Sequence, residues 1–182
     1  MESFEIPWAP VFGNHENESA KGVVWQCEQL ENAEYCLFKR GTLTNTNGNY
    51  TVGVMQGDEL VRVFYMMDTN GCGAAFNKDG NNGVTEVGGF TQEQINWLGN
   101  GMSAFNKYYP EAEISLCFHI PTTEMQYAVQ TYGSLSESFA IGIEKTAKNG
   151  DFGEYRCKTV SSRPAPNYKG RSFLKLLQES GV

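Results

Sequence analysis

Three side chains with the chemistry to work on a phosphate or a metal stand at the ends of apolar runs. Pro10, Val11 and Phe12 lead into Gly13, after which Asn14 and His15 follow side by side, with Glu16 next. The amide oxygen of Asn is a neutral ligand for a hard cation. The imidazole of His changes charge near neutral pH and serves as a general acid. The chain has only 2 histidines. The other, His119, ends the run Ile114-Ser115-Leu116-Cys117-Phe118 and precedes Ile120-Pro121. Two strand-like runs that each deliver a histidine at the C-terminal end point to one shared site. Taken alone, Asn14-His15 also fits a tight turn after a strand, since Asn tolerates left-handed backbone geometry. His119 alone also fits a buried, hydrogen-bonded histidine.

The elements that must position these residues follow from the apolar patterning. Strand signals fall at 8–12, 35–39, 50–55, 60–67 and 114–120. The run Val61-Arg62-Val63-Phe64-Tyr65-Met66-Met67 is almost wholly apolar and short, as a strand buried on both faces requires. Gly48-Asn49 is a turn signal. Helix signals fall at about 20–34, 91–107, 123–131 and 171–179. Thr91 with Gln94 forms a capping box, and Ile95, Leu98, Met102 and Phe105 recur on one helical face. Thr123 with Gln126 repeats the capping signature after His119. Phe173, Leu174, Leu176 and Leu177 form a short amphipathic face stopped by Gly181.

Two stretches break the pattern. Residues 70–90 are a Gly- and Asn-rich loop. Asn77-x-Asp79-x-Asn81 there invites a calcium-loop reading, but the turn glycine is displaced to Gly83 and Gly88 stands where a bidentate Glu is required. A surface loop is the better reading. Residues 132–170 lack periodicity and read as a long irregular connection.

Composition narrows the function classes. The 182 residues suit one domain, 1–182, with 40% hydrophobic and 13% aromatic residues. A net charge of −7 argues against a nucleic-acid partner. No apolar stretch is long enough to span a membrane. Localisation is not legible. The cysteines, 27, 36, 72, 117 and 157, are odd in number and include no C-x-x-C, so neither a zinc knuckle nor a closed disulfide framework is indicated. Cys36 and Cys117 lie in apolar runs and read as core residues. Trp8, Trp25 and Trp97 read as core anchors.

The stretch Ile6-Pro7-Trp8-Ala9-Pro10-Val11-Phe12-Gly13-Asn14-His15-Glu16 resembles the G-N-H-[DE] motif of calcineurin-like metallophosphoesterases. Phe118-His119-Ile120-Pro121 resembles that family's single-histidine motif. Between them, Gly48-Asn49-Tyr50, Met67-Asp68-Thr69-Asn70 and Thr91-Gln92-Glu93-Gln94-Ile95-Asn96-Trp97-Leu98 are similar, in order, to linking segments of its purple-acid-phosphatase-like branch. The resemblance implies an α/β fold, a partial four-layer α/β/β/α sandwich with mixed sheets. It implies a phosphoric ester hydrolase working through a dinuclear centre of divalent or trivalent iron, zinc or manganese on a phosphoester substrate. Asn14 and His119 would be metal ligands and His15 the catalytic imidazole. Glu16, Asp68, Asn70 and Glu124 are possible site-lining residues, although Asp68-Thr69-Asn70 equally fits a turn cluster.

The family's D-x-H, G-D-x-x-D and G-H-x-H motifs are missing from this sequence. The chain therefore reads as an internal, truncated piece of a longer enzyme, expected to bind metal weakly and hydrolyse little. The alternative is a non-catalytic binding or interaction domain that keeps a degenerate phosphoesterase fold. No residue selects a substrate within the family.

Overall fold

A computed structural model describes residues 1–13, 16, 19–43, 46–70, 90–119 and 176–177. The fold is α/β, with a small mixed sheet of 3 strands in the order β1-β2-β3. Strand β1 is Tyr50–Gln56, β2 is Glu59–Met66 and β3 is Glu113–Cys117. Helix α1 is Gly22–Asn32, and α2, the longest helix among the described residues, is Gln92–Tyr108. A short 3-10 turn, Glu2–Phe4, starts the chain.

Strand β2 organises the sheet. It pairs with β1 antiparallel, through a hairpin whose two-residue turn opens on Gly57 at φ 62°. That left-handed backbone belongs to glycine in tight hairpins. A bulge follows, because Val54 pairs with Arg62 while Met55 pairs with Leu60 and Val61 is left over. On its other edge β2 runs parallel to β3, from Arg62 opposite Glu113 to Met66 opposite Cys117. A parallel neighbour needs a crossover connection, and α2 lies between the two strands in sequence.

Alternation along β2 feeds two cores. Val63, Tyr65 and Met67 join Phe90, Ile95, Leu98, Met102 and Leu176 on the α2 side. Met66 joins Phe12, Cys27, Cys36, Phe38 and Tyr50 on the opposite face, with Phe64 packed alongside. The C-terminal half of the strand, from Val63, is therefore covered on both faces, as its apolar run requires. Ile95, Leu98 and Met102 of α2 are essentially inaccessible to water. Each such side chain contributes about 1.5–3 kcal/mol by burial. On α1, Val23, Cys27 and Leu30 supply the inward stripe at helical spacing.

Several expectations need correction. Residues 8–12 and 35–39 are not strands of the sheet. They meet only in one parallel bridge, Trp8 with Cys36, through Trp8 N donating to Tyr35 O and Leu37 N donating to Trp8 O. Pro7 and Pro10 flank Trp8 and have no N–H to extend a ladder. The segment is apolar because it packs on the sheet's face. The strand expected over 114–120 ends at Cys117. Trp25 is not a core anchor. It is 37% exposed, with the Lys21 ammonium 4.2 Å from its ring centroid. Trp97 does pack on the α2-side core, edge-on to Tyr65 at 5.3 Å. Trp8 packs against the opposite core. Leu176 and Leu177 are helical, and Leu176 is buried among the α2-side residues. The loop within 71–89, the helix at 123–131 and the connection over 132–170 lie outside the described residues.

One packing constraint gives a sign to test. A Cβ on Gly101 of α2 would stand 2.5 Å from the Tyr65 hydroxyl oxygen. That hydroxyl is buried and has no hydrogen-bond partner among the described residues. Gly101→Ala gains about 1 kcal/mol of helix propensity but overpacks a filled core, at a cost of about 1–3 kcal/mol. The clash should win, and urea denaturation should show net destabilisation. In a Tyr65→Phe background the oxygen is gone, so the same substitution should become neutral or stabilising. Additive effects of the two changes would contradict this packing.

Candidate functional site

Parallel pairing of β2 with β3 puts their C-terminal ends at one edge of the sheet, where open α/β sheets place their ligands. Met67 N donates to Cys117 O at 2.9 Å, carrying the ladder one step beyond β2. Beyond it, Asp68-Thr69-Asn70 leaves β2 and Phe118-His119 leaves β3.

The Gly13 segment reaches the same edge. Tyr50, which begins β1 opposite Met66 at the end of β2, donates its hydroxyl to Pro10 O at 2.6 Å. Phe12 packs on Phe38 with ring centroids 5.1 Å apart. Gly13 then lies against the His119 imidazole. A Cβ at position 13 would meet His119 Cδ2 at 2.6 Å and Nε2 at 3.0 Å. Only glycine permits that approach. The G-N-H-E segment and the single-histidine segment thus touch through Gly13 and His119. Asn14 and His15 themselves, and Glu124, lie outside the described residues.

Glu16 is tied into this segment by its own carboxylate, which accepts from Gly13 N at 2.7 Å. Its carbonyl accepts from Gln26 Nε2 of α1 at 2.6 Å. His119 is solvent-exposed, at the surface of the sheet edge.

The 68–70 segment is an Asx turn. Asp68 Oδ1 accepts from Asn70 N at 2.8 Å, and Asn70 adopts φ 65°, which Asn tolerates. Asp68, Thr69 and Asn70 are all buried. Burial pushes the Asp68 carboxyl up to about 7. The Asn70 backbone N–H opposes the rise, the Glu16 carboxylate adds to it, and the Asn47 backbone N–H opposes it again.

A polar network that the sequence did not reveal as such supports the turn. Gln94, fully buried on α2, donates from Nε2 to Asn49 Oδ1 and to Asp68 O, both at 2.7 Å. Its Oε1 accepts from Asn70 Nδ2 and from Thr91 N, both at 2.8 Å. The capping box at Thr91 is formed as its sequence signature requires. That signature identified Gln94 as a capping residue and gave no sign of its bonds to Asn49, just before β1, and to the turn after β2. Asn49, read as a turn residue, also accepts from Asp68 N at 3.2 Å.

The thiols of Cys27, Cys36 and Cys117 are held in their neutral form by burial. Burial pushes the Cys27 thiol up to about 11 and raises Cys36 and Cys117 as well. All three are free and are expected to be protonated and unreactive at neutral pH.

A dinuclear centre needs a bridging carboxylate and several nitrogen ligands. Among the described residues, no group of three His, Cys, Asp or Glu side chains could hold a metal ion. The described donors thus do not make up such a centre. No helix among the described residues is long and apolar enough to cross a membrane. No family model matches the chain, and comparison with curated proteins and with solved structures likewise yields no match.

The Asp68 environment predicts a pH dependence. Its folded value of about 7 lies above the ordinary carboxylate value. The native state then holds a proton that the unfolded chain has released, so stability falls as pH rises from about 4 through about 7. Asp68→Asn keeps the oxygen that accepts from Asn70 N and removes the titration. Urea midpoints at about pH 5 and about pH 8 should fall for the wild type and change less for the variant. Equal changes would place the Asp68 value near the ordinary one.

Proposed function

We propose that this chain carries part of a phosphoester-hydrolysing site of the calcineurin-like metallophosphoesterase kind, within a partial four-layer α/β/β/α sandwich. The observation that supports it is the His119 ring seated on the Gly13 backbone. Two segments far apart in sequence, each resembling a histidine motif of that family, meet at the C-terminal edge of a sheet. Helix α2 covering one sheet face is consistent with one outer layer of such a sandwich.

In this reading Asn14 and His119 are the metal-ligand candidates, and His15 is the imidazole that protonates the leaving oxygen. Metal ions of the iron, zinc or manganese class supply, when bound, charge neutralisation and an activated water. The described donors by themselves are too few to hold two ions. The chain's own contribution is orientation. Gly13 lets His119 approach, Glu16 fixes the Gly13 amide, and the 68–70 turn lines the edge.

The second reading is a non-catalytic domain with a degenerate phosphoesterase fold. Metal titration and p-nitrophenyl phosphate turnover separate the two. For the 182-residue chain, weak binding of manganese, zinc or iron and turnover near background are expected. His119→Ala should weaken metal binding further. Gly13→Ala should do the same, because its methyl displaces the His119 ring. Metal binding indifferent to both changes would remove the metal from this edge. Metal-independent binding of p-nitrophenyl phosphate would favour the non-catalytic reading.

A further inference from the structure

We propose that Gln94 is the positioning residue of this site: its carboxamide fixes the 68–70 turn, so that affinity for a phosphate group depends on a side chain remote from the ligand. The inference rests on the phosphoester reading above for the identity of the ligand. The positioning itself rests on geometry.

A primary carboxamide has two donor hydrogens and two acceptor lone pairs. Gln94 uses all four. Two bonds go to the turn, from Nε2 to Asp68 O and from Asn70 Nδ2 to Oε1. The other two go to Asn49 beside the start of β1 and to Thr91 at the start of α2. One rigid planar group thereby sets the distances between β1, the end of β2 and the helix N-terminus. Docking of α2 does not need it, since Ile95, Leu98 and Met102 already bury the helix's apolar face. An apolar residue at position 94 would leave Asp68 O, Asn70 Nδ2 and Thr91 N without the bonds that Gln94 gives them. What the amide adds is a defined orientation for the turn.

The turn is where such orientation matters. Asn70 is held in left-handed backbone geometry. The Thr69 hydroxyl, fully buried, meets no hydrogen-bond partner among the described residues. A buried hydroxyl with unused hydrogen-bonding capacity calls for an explanation, and a ligand at the turn would supply one.

The experiment compares the 182-residue chain with Gln94→Leu and Gln94→Glu by amide hydrogen exchange and by titration with inorganic phosphate followed at the His119 ring. Gln94→Leu should speed exchange at the Asn70 amide at least tenfold while Val63 and Tyr65 amides keep their protection. It should also weaken the phosphate response at least tenfold. Gln94→Glu keeps both acceptor bonds and regains a donor only when protonated. Its Asn70 protection should therefore recover as pH falls, a response that Gln94→Leu lacks. Should Gln94→Leu not fold, the pH recovery in Gln94→Glu carries the test alone. Unchanged Asn70 exchange in both variants would overturn the proposal, and so would acceleration of all β2 amides together. A wild-type chain whose His119 ring ignores phosphate, with Asn70 exchange responding as expected, would uphold Gln94's hold on the turn and count against the phosphoester reading.

Discussion

Burial of β2 on both faces is the constraint from which the described structure follows. A strand with apolar side chains on both faces must be covered twice, here by α2 on one side and by the 8–12 and 36–38 segments with α1 on the other. Where the strand is buried, its backbone must also be satisfied on both edges. The hairpin partner β1 serves one edge and the parallel partner β3 the other. A parallel partner puts two C-terminal ends side by side. That the 68–70 turn and His119 leave the sheet at one edge is thus a consequence of how β2 is paired.

The same burial takes polar groups out of water at the end of β2. Asn49, Asp68, Thr69, Asn70 and Gln94 are all buried. An unsatisfied buried polar group costs about 1–3 kcal/mol, so such a cluster is tolerable only if its members bond one another. Gln94 makes that possible by joining four groups from three segments. Asp68 is served by backbone N–H groups, which do not fully offset the loss of hydration, so its carboxyl rises to about 7. The segments that carry Gly13 and His119 meet beside this cluster.

Much of the fold was legible because its signals are local. The capping box and apolar face of α2 are encoded by residues three and four apart, and both formed. The short apolar run of β2 carried its own explanation. Residues 8–12 and 35–39 misled because apolar character records burial and says nothing of ladder pairing. Pro7 and Pro10 held the missing information, since neither can donate to a ladder. Trp25 misled because an aromatic ring can lie on the surface beneath a lysine as well as in a core.

The sequence by itself determined the residue types at the site and their order: Gly13 through Glu16, then Asp68 to Asn70, then His119. It also determined the helix and strand periods that carry them, because those periods depend on near neighbours. Tertiary structure alone decided that Gly13 would lie against His119, that Gln94 would reach from its helix cap to Asn49 and the 68–70 turn, and that burial would raise the Asp68 carboxyl. Each depends on segments distant along the chain being brought within a few ångströms, and no local pattern of residues specifies such a contact.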